Sequence, residues 1–190
     1  MKKLIFSLIL LMALGLPGAG AGKFSLGIGA GIKNVNGIED ENGINLYTEV
    51  YGKNKMVYSL DLGYRVSKPL QVFLHSDYFS IKGKLTYTGE DTDLTIIPIE
   101  VGVRFFMGSK KIFPYLGVGP GFYLYREENV IGTVDELKIG FFAEGGLKFQ
   151  FSKRFFFDLK VKHIFLKVTG AEGKVDLGGF TLIGGIGISF

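Results

Sequence analysis

Residues 180–190 read FTLIGGIGISF. Phe180, Leu182, Gly184, Ile186, Ile188 and Phe190 fall on one parity; Thr181, Ile183, Gly185, Gly187 and Ser189 fall on the other. A strand turns successive side chains to opposite faces, so this stretch has one apolar face and one small, weakly polar face. Working back towards the N-terminus, the same alternation of two recurs at residues 23–33, 56–66, 70–81, 95–107, 113–125, 137–151 and 155–168. The clearest case sets Leu137, Ile139, Phe141, Ala143, Leu147, Phe149 and Phe151 against Lys138, Glu144, Lys148 and Gln150. The least regular is 70–81, with Val72, Leu74 and Tyr78 opposite His75 and Asp77.

Eight strands follow, and their connections are of two kinds. Residues 67–69, 108–111 and 152–154 are tight turns, whereas 34–55, 82–93, 126–136 and 169–176 are longer polar loops. Strands of ten or more residues joined alternately by short turns and long loops are the pattern of a barrel that spans a bilayer.

Composition supports this and narrows the function. The chain of 190 residues has 29 Gly, 18 Phe, no Trp and no Cys, and a net charge of +4. Without cysteine there are no disulfides, thiolate metal sites or cysteine nucleophiles. No basic run or basic helix stands out, so nucleic acid is not an expected partner. Residues 1–21, MKKLIFSLILLMALGLPGAGA, combine Lys2 and Lys3, an apolar stretch from Leu4 to Leu16, a Pro17-Gly18 break and a small-x-small site at Ala19-Gly20-Ala21. This is the pattern of a cleaved secretory signal peptide, and the stretch is shorter than the ~20 residues a spanning helix needs. The expected domains are thus a signal peptide at 1–21 and a barrel at 22–190.

A short pattern repeats on the polar faces: Asp61-x-Gly63-x-Arg65, Glu100-x-Gly102-x-Arg104 and Glu144-x-Gly146-x-Lys148. Acid and base four residues apart on one strand are separated by about 13 Å, so pairing must run between strands. His75, Asp77, Asp158, Lys160 and Lys162 share the polar parity and are the expected partners. Alternation alone does not say which face points inward. A soluble lipocalin-like barrel would put the apolar face inside. Matched charges of both signs, glycines crowding the polar face and aromatics clustered near strand ends favour a charged lumen and a lipid-facing apolar surface. Phe105, Phe106, Phe149, Phe151, Phe155 and Phe157 are expected as one such girdle. An eight-stranded barrel is only wide enough for side chains to fill, which favours a packed network over an ion pathway.

The final strand, ending on Phe190 with Ile188 and Ile186 two and four residues before it, resembles the C-terminal insertion signal of bacterial outer-membrane barrels. Residues 95–125, TIIPIEVGVRFFMGSKKIFPYLGVGPGFYLY, resemble the central hairpin of small outer-membrane barrels of the OmpA-barrel, OmpX and opacity-protein type, most specifically in the Pro-Tyr-x-Gly-x-Gly run at 114–119. The resemblance covers the whole of 22–190. It implies an all-β, eight-stranded antiparallel up-and-down transmembrane β-barrel in the bacterial outer membrane. It also implies contact with outer-membrane lipid and lipopolysaccharide, and delivery by the barrel-insertion machinery. The family includes adhesins, structural anchors and small pores. No peptidoglycan-binding domain follows the barrel, so an anchoring role of the OmpA kind is not expected.

An enzyme is not expected either. A lipid-deacylating barrel needs a serine nucleophile near a histidine and an acid. His163 lies on the lipid-facing parity with Phe165, not serine, two residues on. No cofactor and no metal site are expected. The loops lean acidic (Glu39, Asp40, Glu41, Glu90, Asp91, Asp93, Glu127, Glu128, Asp135, Glu136) and the short turns basic (Lys68, Lys110, Lys111, Lys153, Arg154). The acidic loops either hold cations that bridge to lipopolysaccharide or form a solvated rim, the commoner state of charge runs. The expected role is that of a monomeric scaffold presenting loops to an external ligand. The alternatives are a small pore and, more remotely, a lipid-modifying enzyme.

Overall fold

The computed structural model describes residues 24–37, 54–84, 89–108, 111–129, 132–170 and 173–190. The expected signal segment and the acids Glu39, Asp40 and Glu41 lie outside them. The strands are β1 (Phe24–Gly37), β2 (Asn54–Arg65), β3 (Leu70–Lys84), β4 (Asp91–Phe106), β5 (Ile112–Asn129), β6 (Gly132–Gln150), β7 (Phe155–Phe165), β8 (Lys167–Gly170) and β9 (Gly173–Ser189). β7 and β8 are two segments of one stave, interrupted at Leu166 and both paired with β9. Every neighbouring pair is antiparallel, and β1 pairs with β9, so eight staves close the sheet. Closure leaves no edge, so the backbone ladder runs round the barrel without needing water as a partner.

The register fixes the shape. A circuit from Phe24 through Tyr64, Val72, Val103, Val118, Ala143, His163 and Phe180 returns to β1 at Asn34, ten residues beyond its start. A stagger of ten over eight strands tilts them by about 40° at ~3.3 Å per residue and ~4.8 Å between strands.

Alternation sorts the residues as a lipid-facing barrel requires. Leu116, Ile139, Phe141 and Ile186 are 61%, 67%, 64% and 59% exposed on the outer wall, whereas Arg104, Glu100, His75 and Lys162 are all 0% exposed inside. Tyr64, Phe105, Phe155 and Phe157 lie near the short turns, and Tyr58, Tyr78, Phe122, Phe141, Phe165 and Phe180 towards the other end. Phe157 and Phe165 are eight residues apart on β7, which is ~26 Å along the strand and ~20 Å along the axis, close to the ~25 Å apolar band of such barrels.

Two expectations need correction. Phe106 belongs to the lumen, not the girdle: it is 4% exposed, because its strand neighbour Phe105 takes the outward direction. The strands also run further than the apolar alternation does. Lys82 pairs with Asp93 and Lys84 with Asp91, inside the stretch read as a loop. Arg126 pairs with Asp135, and Asn129 with Gly132, inside another. Beyond the bilayer both faces are wet, so alternation ends there while the backbone ladder continues.

Candidate functional site

Because β2, β3, β4, β6 and β7 all turn their polar faces inward, their charged residues meet in one belt across the lumen. Register brings Asp61 beside His75, His75 beside Glu100, and Glu144 beside Lys162. The guanidinium of Arg104 then reaches across. Its Nη1 and Nη2 donate to Asp61 Oδ1 and Oδ2 at 2.8 and 2.5 Å, and its Nε donates to Glu144 Oε1. Lys162 Nζ donates to Asp77 Oδ2 at 2.5 Å and Glu100 Oε2 at 2.7 Å. Lys160 Nζ lies 3.3 Å from Asp61 Oδ2 and 3.1 Å from His75 Nδ1. His75 Nε2 faces Asp77 Oδ1 at 2.8 Å. Asp61, His75, Asp77, Glu100, Arg104, Glu144, Lys160 and Lys162 thus form one continuous network. Buried charges are tolerated only when paired and hydrogen-bonded in this way.

The other lumen candidates stand apart from it. Asp158 accepts hydrogen bonds from the Tyr115 hydroxyl at 3.0 and 3.1 Å. Arg65 and Lys148, the bases of two of the three repeats, reach no carboxylate among the described residues. They sit towards the short turns, with Arg65 Cζ 4.5 Å from the centre of the Phe106 ring and Lys148 Nζ 4.1 Å from that of Phe156. Only Arg104, the middle base, reaches the acids. Ile186 and Phe190 point outward. Phe190 also exchanges backbone hydrogen bonds with Phe24, extending the closing seam. His163 faces outward between the rings of Phe165 and Phe180, with centroids 4.4 and 4.3 Å away.

Glycines make this filling possible. A Cβ at Gly146 would fall 2.5 Å from the Tyr115 ring, and one at Gly117 2.8 Å from Glu144 Oε1. At Gly102 it would meet Phe142 and Phe73 at 2.9 Å. The room they leave is taken by aromatic rings as much as by long charged chains.

Sequence reasoning assigned several lumen residues no role. Lys33 is 4% exposed on the parity of Gly27, Gly29 and Gly31, its Nζ 5.3 Å from the Phe79 ring centre. Tyr123 donates to Glu100 Oε1 at 3.1 Å, and Gln71 donates to Ser25. Parity alone would have found each of them.

Apolar side chains flank the belt. Towards the loops, Phe79, Ile81, Leu94 and Ile96 pack as one cluster, and Tyr123, Phe142, Ile164 and Leu166 as another, which Phe73 joins from beside Arg104. Towards the short turns, Phe106, Tyr115 and Phe156 are all buried. Beside Asp61, Asp158 and Lys160 a cavity of about 20 Å³ remains, enough for roughly one water. His75, Asp77 and Glu100 have the donor types and proximity for a metal. Lys162 Nζ already bridges Asp77 and Glu100, so the cation there is the protein's own.

The outer membrane protein beta-barrel domain matches residues 6–188. No curated protein matches the chain. Solved structures give the same fold. Surface protein A of Neisseria is 15% identical, with 90% of this chain and 100% of that one covered and a TM-score of 0.68. The attachment invasion locus protein Ail of Yersinia pestis, in complex with the heparin analogue sucrose octasulfate, is 18% identical, with 90% and 99% covered and a TM-score of 0.57. Outer membrane protein W of E. coli is 19% identical, with 90% and 98% covered and a TM-score of 0.56. With an apolar wall, a charged lumen and a match over nearly its whole length, this chain belongs to the outer membrane protein beta-barrel domain family and is a bacterial outer-membrane β-barrel.

Proposed function

We propose that this barrel is a non-conducting, monomeric scaffold exported by a cleaved signal peptide, and that its function lies in surface interaction at the loop end. The observation that carries the reading is the filled lumen: an ion-paired charge belt between two apolar layers. Such a lumen stabilises and positions the wall but offers no wetted route. Enzymatic activity is not part of the proposal, since His163 is enclosed by Phe165 and Phe180 and has Ala143 across the strand pair. The sulfated ligand of Ail is not carried over. The loop end here mixes Glu90, Asp91, Asp93, Glu128, Asp135 and Glu136 with Lys82, Arg126 and Lys138, a surface without a cationic excess.

The test replaces residues 38–53 with an Asn-Gly turn and compares bacteria displaying the whole and the trimmed barrel. Both are assayed for adhesion to immobilised glycans and extracellular-matrix proteins. Adhesion by the whole barrel that is lost on trimming, at equal membrane levels, is expected. Equal adhesion by both, or by neither, contradicts the surface role.

A further inference from the structure

The short-turn mouth of the barrel holds a second feature, independent of the belt and of the surface role. A cavity of about 100 Å³ opens there, lined by Ser25, Arg65, Gln71, Lys148, Lys153 and Phe156 among others. That is several times the space one water requires. Three of these residues are cationic and none is acidic.

The chemistry of the lining is unbalanced. Lys148 is 6% exposed and has no hydrogen-bond or ion-pair partner among the described residues. Its cross-strand neighbour Asp158 is held by the Tyr115 hydroxyl, and its Nζ lies over the Phe156 and Phe106 rings at 4.1 and 5.2 Å. Ring faces offset only part of the cost of burying an ammonium. Arg65 uses one guanidinium nitrogen, on the Lys68 carbonyl at 3.3 Å, and leaves the rest of its planar fork unused. Gln71 is 2% exposed, and its Oε1 has no partner while its Nε2 donates to Ser25 Oγ. A hydroxyl donates or accepts equally well, so turning the amide over keeps the Ser25 bond and frees an N–H donor. The surrounding turns add Lys68, Lys111 and Arg154 and no acid. A field of one sign over a low-dielectric pocket concentrates counter-ions.

We infer that this mouth is an oxyanion site that takes a phosphate group. Arg65 and Lys148 supply charge-assisted hydrogen bonds, Lys153 a cation at the rim, and Gln71 a neutral donor, its Oε1 accepting from Ser25. An arginine fork and a point-charge ammonium together match the charge and the tetrahedral oxygens of phosphate. The group arrives either as free phosphate or on a phospholipid of the inner leaflet.

The test is calorimetric titration of the protein, extracted from the outer membrane into uncharged maltoside micelles, at low ionic strength. Inorganic phosphate and dihexanoyl phosphatidate are the probes, with dihexanoyl phosphocholine as control. One saturable site per barrel is expected, weakened about tenfold in Lys148→Met and in Arg65→Gln, and twofold to threefold in the exposed Lys153→Gln. The heat-dependent shift on a detergent gel shows that each variant is folded. Binding of inorganic phosphate alone assigns a free anion, and tighter binding of phosphatidate assigns the headgroup. Saturable binding of neither probe, or binding unchanged in folded Lys148→Met and Arg65→Gln, overturns the inference.

Discussion

Replacing Arg104 by Met probes the belt at its centre. The side chain is fully buried, and its guanidinium is the hydrogen-bond donor to Glu144 Oε1, while Glu144 Oε2 has no partner among the described residues. Methionine keeps the volume against the Phe73 ring, over which Arg104 Cζ lies at 3.7 Å. Among the described residues it removes the only cation paired with Glu144. Asp61 loses two hydrogen bonds but keeps Lys160 Nζ at 3.3 Å and His75 Nδ1 at 3.2 Å. The cost therefore falls mainly on Glu144, at about 3–5 kcal/mol, the range for stripping one partner from a buried pair. Adding Glu144→Gln removes the orphaned charge, and the double variant should cost only about 1–2 kcal/mol for the lost hydrogen bonds. The coupling energy between the two sites is then at least about 1 kcal/mol, and larger by whatever Glu144→Gln costs alone. Urea titration in phospholipid vesicles, followed by the folded and unfolded bands on a detergent gel, measures all three variants. A cost below about 1 kcal/mol for Arg104→Met, or additivity of the two changes, refutes the reasoning.

Further outcomes follow from the two walls. Gly146→Ala places a Cβ 2.5 Å from the Tyr115 ring, and at Gly145 on the opposite face the nearest atom, of Leu116, is 3.4 Å away; the first should destabilise by about 1–3 kcal/mol and the second by much less in the same urea titration. Val118 and Ile112 are similarly exposed, at 55% and 51%. Val118 lies well inside the aromatic girdles and Ile112 beside a short turn, so Val118→Arg should cost about 2–4 kcal/mol in a bilayer and Ile112→Arg about 0–1 kcal/mol. Deleting Phe190 should lower the protein's outer-membrane level several-fold while leaving refolding in detergent intact, because β1 and β9 remain paired from Ser25 to Asn34; immunoblots of membrane fractions beside in vitro refolding check this.

The strands and their facing were legible because the bilayer imposes alternation on every residue it touches. Where that constraint ends, so did the reading. Lys82–Lys84 and Asp91–Asp93 are strand outside the apolar band, and nothing in their polarity distinguishes them from loop. The poor alternation around Tyr78 and Phe79 has a different cause. The lumen itself turns apolar there, so Tyr78 faces lipid while Phe79 joins Ile81, Leu94 and Ile96 inside. Two apolar faces leave no period to detect. In the belt, parity identified the acids and their partners on β7, but parity has no height. Arg65, Arg104 and Lys148 occupy equivalent places in the repeat. Tilt and stagger lift only Arg104 among the carboxylates and leave the other two at the mouth. The sequence carries that distinction only through the register of all eight staves.

Single-channel recording of the refolded protein in a planar bilayer, beside Glu100→Gln and Glu144→Gln, tests the sealed lumen most directly. A barrel filled from the Phe106 layer to the Leu94 layer should be electrically silent in all three forms at potentials that leave it folded. Steady openings of the unmodified protein whose conductance changes with either glutamine substitution would show that ions pass through the belt, and would contradict the account.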